Sequence, residues 1–204
     1  MKVRCVVADP PWQYDDRGIN KRGSTSKHYE TMPLAEIVAL GSNGIFKLKA
    51  TDTLFKAPLI FEPHDDGCVL FLWTPNSFLA HGLAGMVMRA WGFEPKTIWT
   101  WIKTTKAQKR SGAELWGIAM PEIKLGVGTY GRNCTEHVIV GTIGTPEINA
   151  SNIPTVMFAP SFSHLEKPSG FYSRAESMVH GPRLDMFARK KRPGWIAWGD
   201  EVKE

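Results

Sequence analysis

Cysteine is scarce in this chain, with Cys5, Cys68 and Cys134 the only three in 204 residues. Their wide spacing provides no paired ligands for zinc, and the odd count does not suit a disulfide framework. They read as reduced thiols of a cytoplasmic protein, and no metal is expected. Long apolar runs are missing too, since none approaches the length of a membrane span. The first apolar stretch begins almost at the amino terminus, so the expectation is a chain neither secreted nor inserted in a membrane. A large excess of one charge is also absent. Against 25 Lys and Arg stand 20 Asp and Glu, and the resulting net charge of +5 and pI near 9.1 permit a polyanionic partner without requiring one.

Hydrophobic residues make up 43% of the chain, enough for one α/β domain spanning 1–204 with a sizeable core. Its most informative stretch is Cys5-Val6-Val7-Ala8-Asp9-Pro10-Pro11-Trp12. Val6, Val7 and Ala8 show no polar alternation, which suits a strand covered on both faces, as in a parallel sheet. Pro10 and Pro11 cannot donate to a ladder, so pairing ends there. Asp9 and Trp12 are thereby delivered to the carboxyl edge, where open α/β sheets bind ligands. Taken singly, Asp-Pro and Pro-Pro are ordinary turn punctuation. Together they suit chemistry on an exocyclic amine, whose lone pair is delocalised into its ring. Asp9 could accept one amine proton and the Pro10 carbonyl the other, with Trp12 or a nearby tyrosine stacking against an extruded base.

Further along, 13–28 is a polar, glycine- and serine-containing loop with four cations, placed to close over a substrate. Leu34–Leu40 reads as a short helix, and 41–67 as a probable insertion with weak periodicity and several breakers. Cys68–Trp73 is a second buried strand, and one helix is expected from Ser77 to Trp91, ended by Gly92. Lys96–Lys103 alternates as a strand whose tryptophans suit the core better than a stacking surface. The basic stretch 103–112 is a candidate phosphate-contacting loop. Val138–Gly141 and Val156–Pro160 are further strands. Gly170–His180 is a helix, Arg183–Arg189 a strand, and Trp195–Glu201 closes the chain.

Asp9-Pro10-Pro11-Trp12 after a valine-rich strand resembles the signature of the mRNA adenosine methyltransferase (MT-A) family of N6-adenine methyltransferases, in its bacterial and phage branch. Later pieces match the same family: Tyr29 before Thr31-Met32; Gly126-x-Gly128 leading to Arg132-Asn133 and Glu136; His164-x-x-Lys167-Pro168; and the closing Phe187-x-Arg189, Arg192-Pro193-Gly194-Trp195 and Trp198-Gly199-Asp200-Glu201. The resemblance implies a Rossmann-like methyltransferase fold with a mostly parallel central sheet flanked by helices. It also implies a permuted motif order, with the catalytic strand first and the donor-binding strand last. S-adenosylmethionine would be the cofactor, held by Asp9, Lys167, Arg189, Asp200 and Glu201. Asp9, Pro10, Pro11 and Trp12 would form the catalytic group, and Trp12, Tyr29, Arg132, Asn133 and Glu136 would face the substrate. Asp200 stands where the family commonly has asparagine, keeping an acceptor and losing an amide donor.

The implied partner is nucleic acid, with DNA preferred over RNA, and a second copy of the chain could complete the groove as a homodimer. Two alternatives stay open: a catalytically silent nucleic-acid-binding subunit of the same fold, and an amino-methyltransferase acting on another base.

Overall fold

The structure is a computed structural model that describes residues 1–13, 31–50, 57–106, 110–115, 118–128, 130–161, 166–199 and 202. Its centre is a seven-stranded sheet. In chain order the members are β2 (Cys5–Ala8), β6 (Gly67–Thr74), β7 (Glu94–Thr104), β10 (Thr135–Gly144), β11 (Val156–Pro160), β12 (Arg183–Met186) and β13 (Trp195–Trp198). Across the sheet they run β11-β7-β10-β6-β2-β12-β13. β10 is antiparallel to both its neighbours and every other pairing is parallel, so the sheet is mostly parallel as expected.

β2 lies between β6 and β12, in register Val7↔Phe71 and Val7↔Asp185. All four of its residues and all eight of β6 are buried, which is why neither shows polar alternation. Alternate side chains divide between two cores. Val6, Ala8, Leu70, Leu72, Leu184 and Met186 face the helices α1 (Leu34–Ala39), α2 (Asn76–Ala80) and α3 (Leu83–Ala90). Cys5, Val7, Val69, Phe71, Trp73, Trp99 and Trp101 face α4 (Ser169–Met178), which contributes Phe171, Tyr172 and Ala175. Among the described residues no helix is long and apolar enough to cross a membrane.

Two expected elements differ. The helix from Ser77 to Trp91 is broken into α2 and α3, because Gly82 takes a φ of +71° that no helix interior accommodates. The strand from Arg183 stops at Met186, since Phe187 adopts a φ of +63°. The two tryptophans of β7 are buried, in keeping with the core reading.

The segment 41–67 supplies β3 (Gly41–Ser42), β4 (Ile45–Leu48) and β5 (Leu59–Pro63), which join β1 (Lys2–Val3) in a four-stranded sheet of order β1-β5-β4-β3. Its Phe46, Leu48 and Phe61 are buried in the same core as α1 to α3. Phe46 meets Trp91 edge-on at 5.1 Å, and the Trp198 indole donates to the Lys49 carbonyl at 3.1 Å, tying the small sheet to both α3 and β13. The weak periodicity of this stretch reflects strands too short to show a pattern. Phe61→Ala is expected to lower the unfolding free energy by about 3–5 kcal/mol in chemical denaturation of the full chain. A cost below about 1 kcal/mol would place the small sheet outside the cooperative core.

Candidate active site

Strand parity explains which side chains meet at the sheet's carboxyl edge. Asp9 continues the Cys5/Val7 row of β2, Trp73 the Phe71 row of β6, and Lys103 the Trp99/Trp101 row of β7. β10 runs the other way, so its beginning reaches this edge, and Glu136 continues the Val138/Val140 row. All four rows face α4. Lys167, two residues ahead of that helix, arrives over the same face.

The result is a chain of alternating charge. Lys167 Nζ lies 3.1 Å from Asp9 Oδ1 and 2.8 Å from Glu136 Oε2, while Lys103 Nζ holds Glu136 Oε1 at 2.5 Å. Lys167 also sits 4.9 Å over the Trp73 ring, and Lys103 5.2 Å over Trp101. An ammonium has three N–H donors, so Lys167 keeps one beyond the two carboxylates. Burial alone would raise the Glu136 carboxyl, but Lys167 and Lys103 outweigh it and hold its pKa at about 2. Burial would lower Lys167, yet Asp9 and Glu136 keep it above its ordinary value. Asp9 is raised, chiefly by burial, with Lys167 pulling it back and Glu136 adding to the rise.

The prolines and the tryptophan differ from expectation. Both proline carbonyls already have partners: Trp12 N–H donates to Pro10 O and Met32 N–H to Pro11 O, each at 2.8 Å. A carbonyl has two lone pairs, so Pro10 retains one for a substrate. Trp12 does not present a stacking face. Its side chain is only 4% exposed, its indole N–H donates to Trp73 O at 3.0 Å, and its ring packs 4.9 Å from Phe78. It braces the motif against β6 from the opposite core. Arg132 is exposed and donates to the Gly126 carbonyl, while Asn133 accepts from the Asn76 amide. Tyr29, Asp200 and Glu201 lie outside the described residues, as does nearly all of the 13–28 loop and part of 103–112.

Beside Asp9, on the β12 flank, opens a cleft of about 270 Å³ whose walls include Asp9, Lys167, Phe187, Arg189, Asp185 and Arg192. Two of its wall residues, Asp185 and Tyr172, were not singled out from the sequence, whereas Arg192 opens the Arg192-Pro193-Gly194-Trp195 piece noted there. Asp185 is buried, accepts from Tyr172 Oη at 3.1 Å, and has Arg192 Nε 3.9 Å away. Burial pushes its pKa up to about 7, against the Tyr172 hydrogen bond and the Arg192 charge. The Arg192 guanidinium lies 3.6 Å over the Tyr172 ring, and its buried Nε has no hydrogen-bond partner among the described residues. A signal for Asp185 did exist, a lone carboxylate between the apolar Leu184 and Met186. Tyr172 carried none.

The family model for MT-A70 matches residues 3–201. The chain belongs to the MT-A70 family. This MT-A70 chain is 26% identical over 210 residues to the type II methyltransferase M.MunI of Mycoplasma sp, covering 100% of this chain and 79% of that protein. It is 28% identical over 207 residues to the human N(6)-adenosine-methyltransferase catalytic subunit METTL3 and 24% over 206 to the human N(6)-adenine-specific methyltransferase METTL4. It spans only 28% and 37% of those two proteins. Membership places the chain among methyltransferase enzymes.

The paired lysines generate a titration test. Because Glu136 is held below its ordinary 4.5, its contribution to stability is full above that pH and is lost as pH falls toward about 2. Lys103→Met should therefore raise the Glu136 titration observed by carboxyl NMR and move acid unfolding to higher pH; an unmoved titration would show the pair to be inconsequential. Asp185 has the opposite sign, raised from 3.8 to about 7, so its contribution is present below about 4 and lost as pH rises through 7. Asp185→Asn should flatten the decline in stability across that window.

Proposed function

We propose that this chain transfers a methyl group from S-adenosylmethionine to the N6 amine of adenine in nucleic acid, with DNA ahead of RNA. The observation that carries the reading is the position of Asp9. Its carboxylate stands at the end of the central strand, at the wall of the cleft and within reach of Lys167. The alignment with the type II methyltransferase, over 100% of this chain and 79% of that protein, supports methyl transfer.

The cleft suits a zwitterionic amino-acid group. Lys167, with its remaining N–H, and Arg189 would hold a carboxylate, and Asp9 and Asp185 would face an ammonium. The buried Nε of Arg192, which has no hydrogen-bond partner among the described residues, would donate to a further acceptor. Asp200 and Glu201 would accept hydrogen bonds from ribose hydroxyls. S-adenosylmethionine supplies a methyl group on a sulfonium, which needs no additional activation. The protein's share is then orientation and hydrogen bonding rather than strong-base chemistry.

Asp9 would accept one hydrogen bond from the adenine amine, and the second lone pair of Pro10 O the other. The nitrogen is thereby drawn toward a pyramidal geometry, with its lone pair directed into the cleft. Asp9, raised by burial, then takes the proton that the methylated nitrogen sheds. Lys167 fixes the orientation of the Asp9 carboxylate through Oδ1, and Glu136 and Lys103 hold Lys167 in place.

The test is transfer of radiolabelled methyl from S-adenosylmethionine to matched DNA and RNA, followed by nucleoside analysis. Label in N6-methyladenine is expected, greater on DNA. Asp9→Ala should reduce transfer at least 100-fold, within the range that a positioned proton acceptor contributes. Label in a cytosine product, or full activity in the variant, would overturn the assignment.

A further inference from the structure

A second cavity, of about 340 Å³, lies on the other side of Asp9 from the donor cleft, between the end of β6 and the loop that leads into β10. Sheet register places it. Ala8 pairs with Leu72, so Asp9 is level with Trp73, and Thr74 pairs with His137. Asn76, just beyond Thr74, is therefore one strand over from Asp9 at the same edge, where strands stand about 5 Å apart.

The loop is tightly built. Gly126 N–H donates to Asn133 O at 2.8 Å, and Arg132 Nε donates to Gly126 O at 2.6 Å. A Cβ on Gly126 would fall 2.5 Å from Asn133 O, and one on Gly128 1.9 Å from Gly131 O, so only glycine permits this closure. At its tip the Tyr130 side chain is fully exposed, and Leu125 and Val127 on the same segment are 62% and 76% exposed. None of the three adds appreciable burial to the fold, and an aromatic displayed on a constrained loop marks a surface for a partner.

The cavity wall identifies the chemistry. Among the described residues its walls are Pro75, Asn76, Ser77, Gly128, Tyr130, Gly131 and Asn133, two of them amides, one an aromatic and none charged. These walls offer a phosphate no cation, whereas a neutral planar ring with hydrogen-bonding edges finds an aromatic residue and amide partners. Asn76 Nδ2 contacts Asn133 Oδ1 at 3.4 Å and Thr135 Oγ1 at 3.2 Å, bonds long enough to yield to a better-placed ligand group. Asparagine amides are the side chains that read an adenine edge in two-point fashion.

We propose that Tyr130, Asn76 and Asn133 form a second nucleotide subsite, in which the base neighbouring the target stacks on Tyr130 and presents its edge to the two amides. The subsite rests on the nucleic-acid reading above but not on the methyl-transfer step. It would give the enzyme a preference for sequence beside the target while leaving the catalytic group unchanged.

The experiment uses the full chain and a single-stranded oligonucleotide with one target adenine and 2-aminopurine at the adjacent position. Wild type should quench the 2-aminopurine fluorescence on binding. Tyr130→Ala should lose the quench and bind the oligonucleotide about tenfold more weakly, in keeping with the loss of one base–aromatic stack. Its affinity for S-adenosylmethionine, measured by calorimetry, should be unchanged, and Tyr130→Trp should restore the quench. Tyr130→Ala binding as wild type overturns the subsite. So does loss of self-association in sedimentation with oligonucleotide binding intact, which would assign the surface to a second copy of the chain. Quenching by a wild-type protein that transfers no methyl group would sink the adenine-methylation reading and support the subsite.

Discussion

One ammonium group held between two carboxylates organises the carboxyl edge of the sheet. Lys167 touches Asp9 from β2 and Glu136 from β10, two strands separated in the sheet by β6. Without it Asp9 would lose the lysine that faces it and Glu136 would be left with Lys103, and a partly buried carboxylate short of partners costs far more than an exposed pair is worth. Trp73, on the intervening strand, lies under the ammonium and closes the gap. The loop before α4 is thus fastened to three neighbouring strands through one side chain. Lys103 completes the balance, so that two cations meet two anions and Asp9 is held in a fixed orientation without a surplus of charge around it.

That arrangement separates two kinds of surface. The β12 side of Asp9 is lined by charge of both signs, and the described wall of the β6–β10 side by neutral amides and an exposed aromatic residue. Asp9 stands at the boundary. The antiparallel course of β10 matters here, because it brings the start of a strand, and the glycine-closed loop before it, to an edge otherwise formed by strand ends.

Much of this was legible in the chain. The apolar run before Asp9, the prolines that end it, and the alternation of β7 follow from periods and breakers that local chemistry dictates. The family pattern drew attention to Lys167 and Glu136, but their meeting depends on parity across three strands and on the direction of β10, which no local window contains. Trp12 was misjudged because an aromatic beside a catalytic carboxylate invites a stacking role. Its burial depends on Phe78 and the Trp73 carbonyl, more than sixty residues away. Asp185 could have been noticed as a lone carboxylate between Leu184 and Met186; Tyr172 could not, because a tyrosine three residues before Ala175 on the buried face of α4 reads as core.

The place of β2 in the sheet bears on how the molecule is made. The strand that leads to Asp9 pairs on one side with β12, which begins only at Arg183, with nearly all of the domain between them. Pairings across such sequence distances form late and slowly, because the connecting chain must be ordered before the contact stabilises it. During synthesis, Val6, Val7 and Ala8 therefore wait with one edge unpaired while nearly the whole domain is translated. The cleft beside Asp9 can exist only after that edge has been closed, so a truncated or stalled product would carry the Asp9-Pro10-Pro11-Trp12 tetrapeptide without a formed cleft around it.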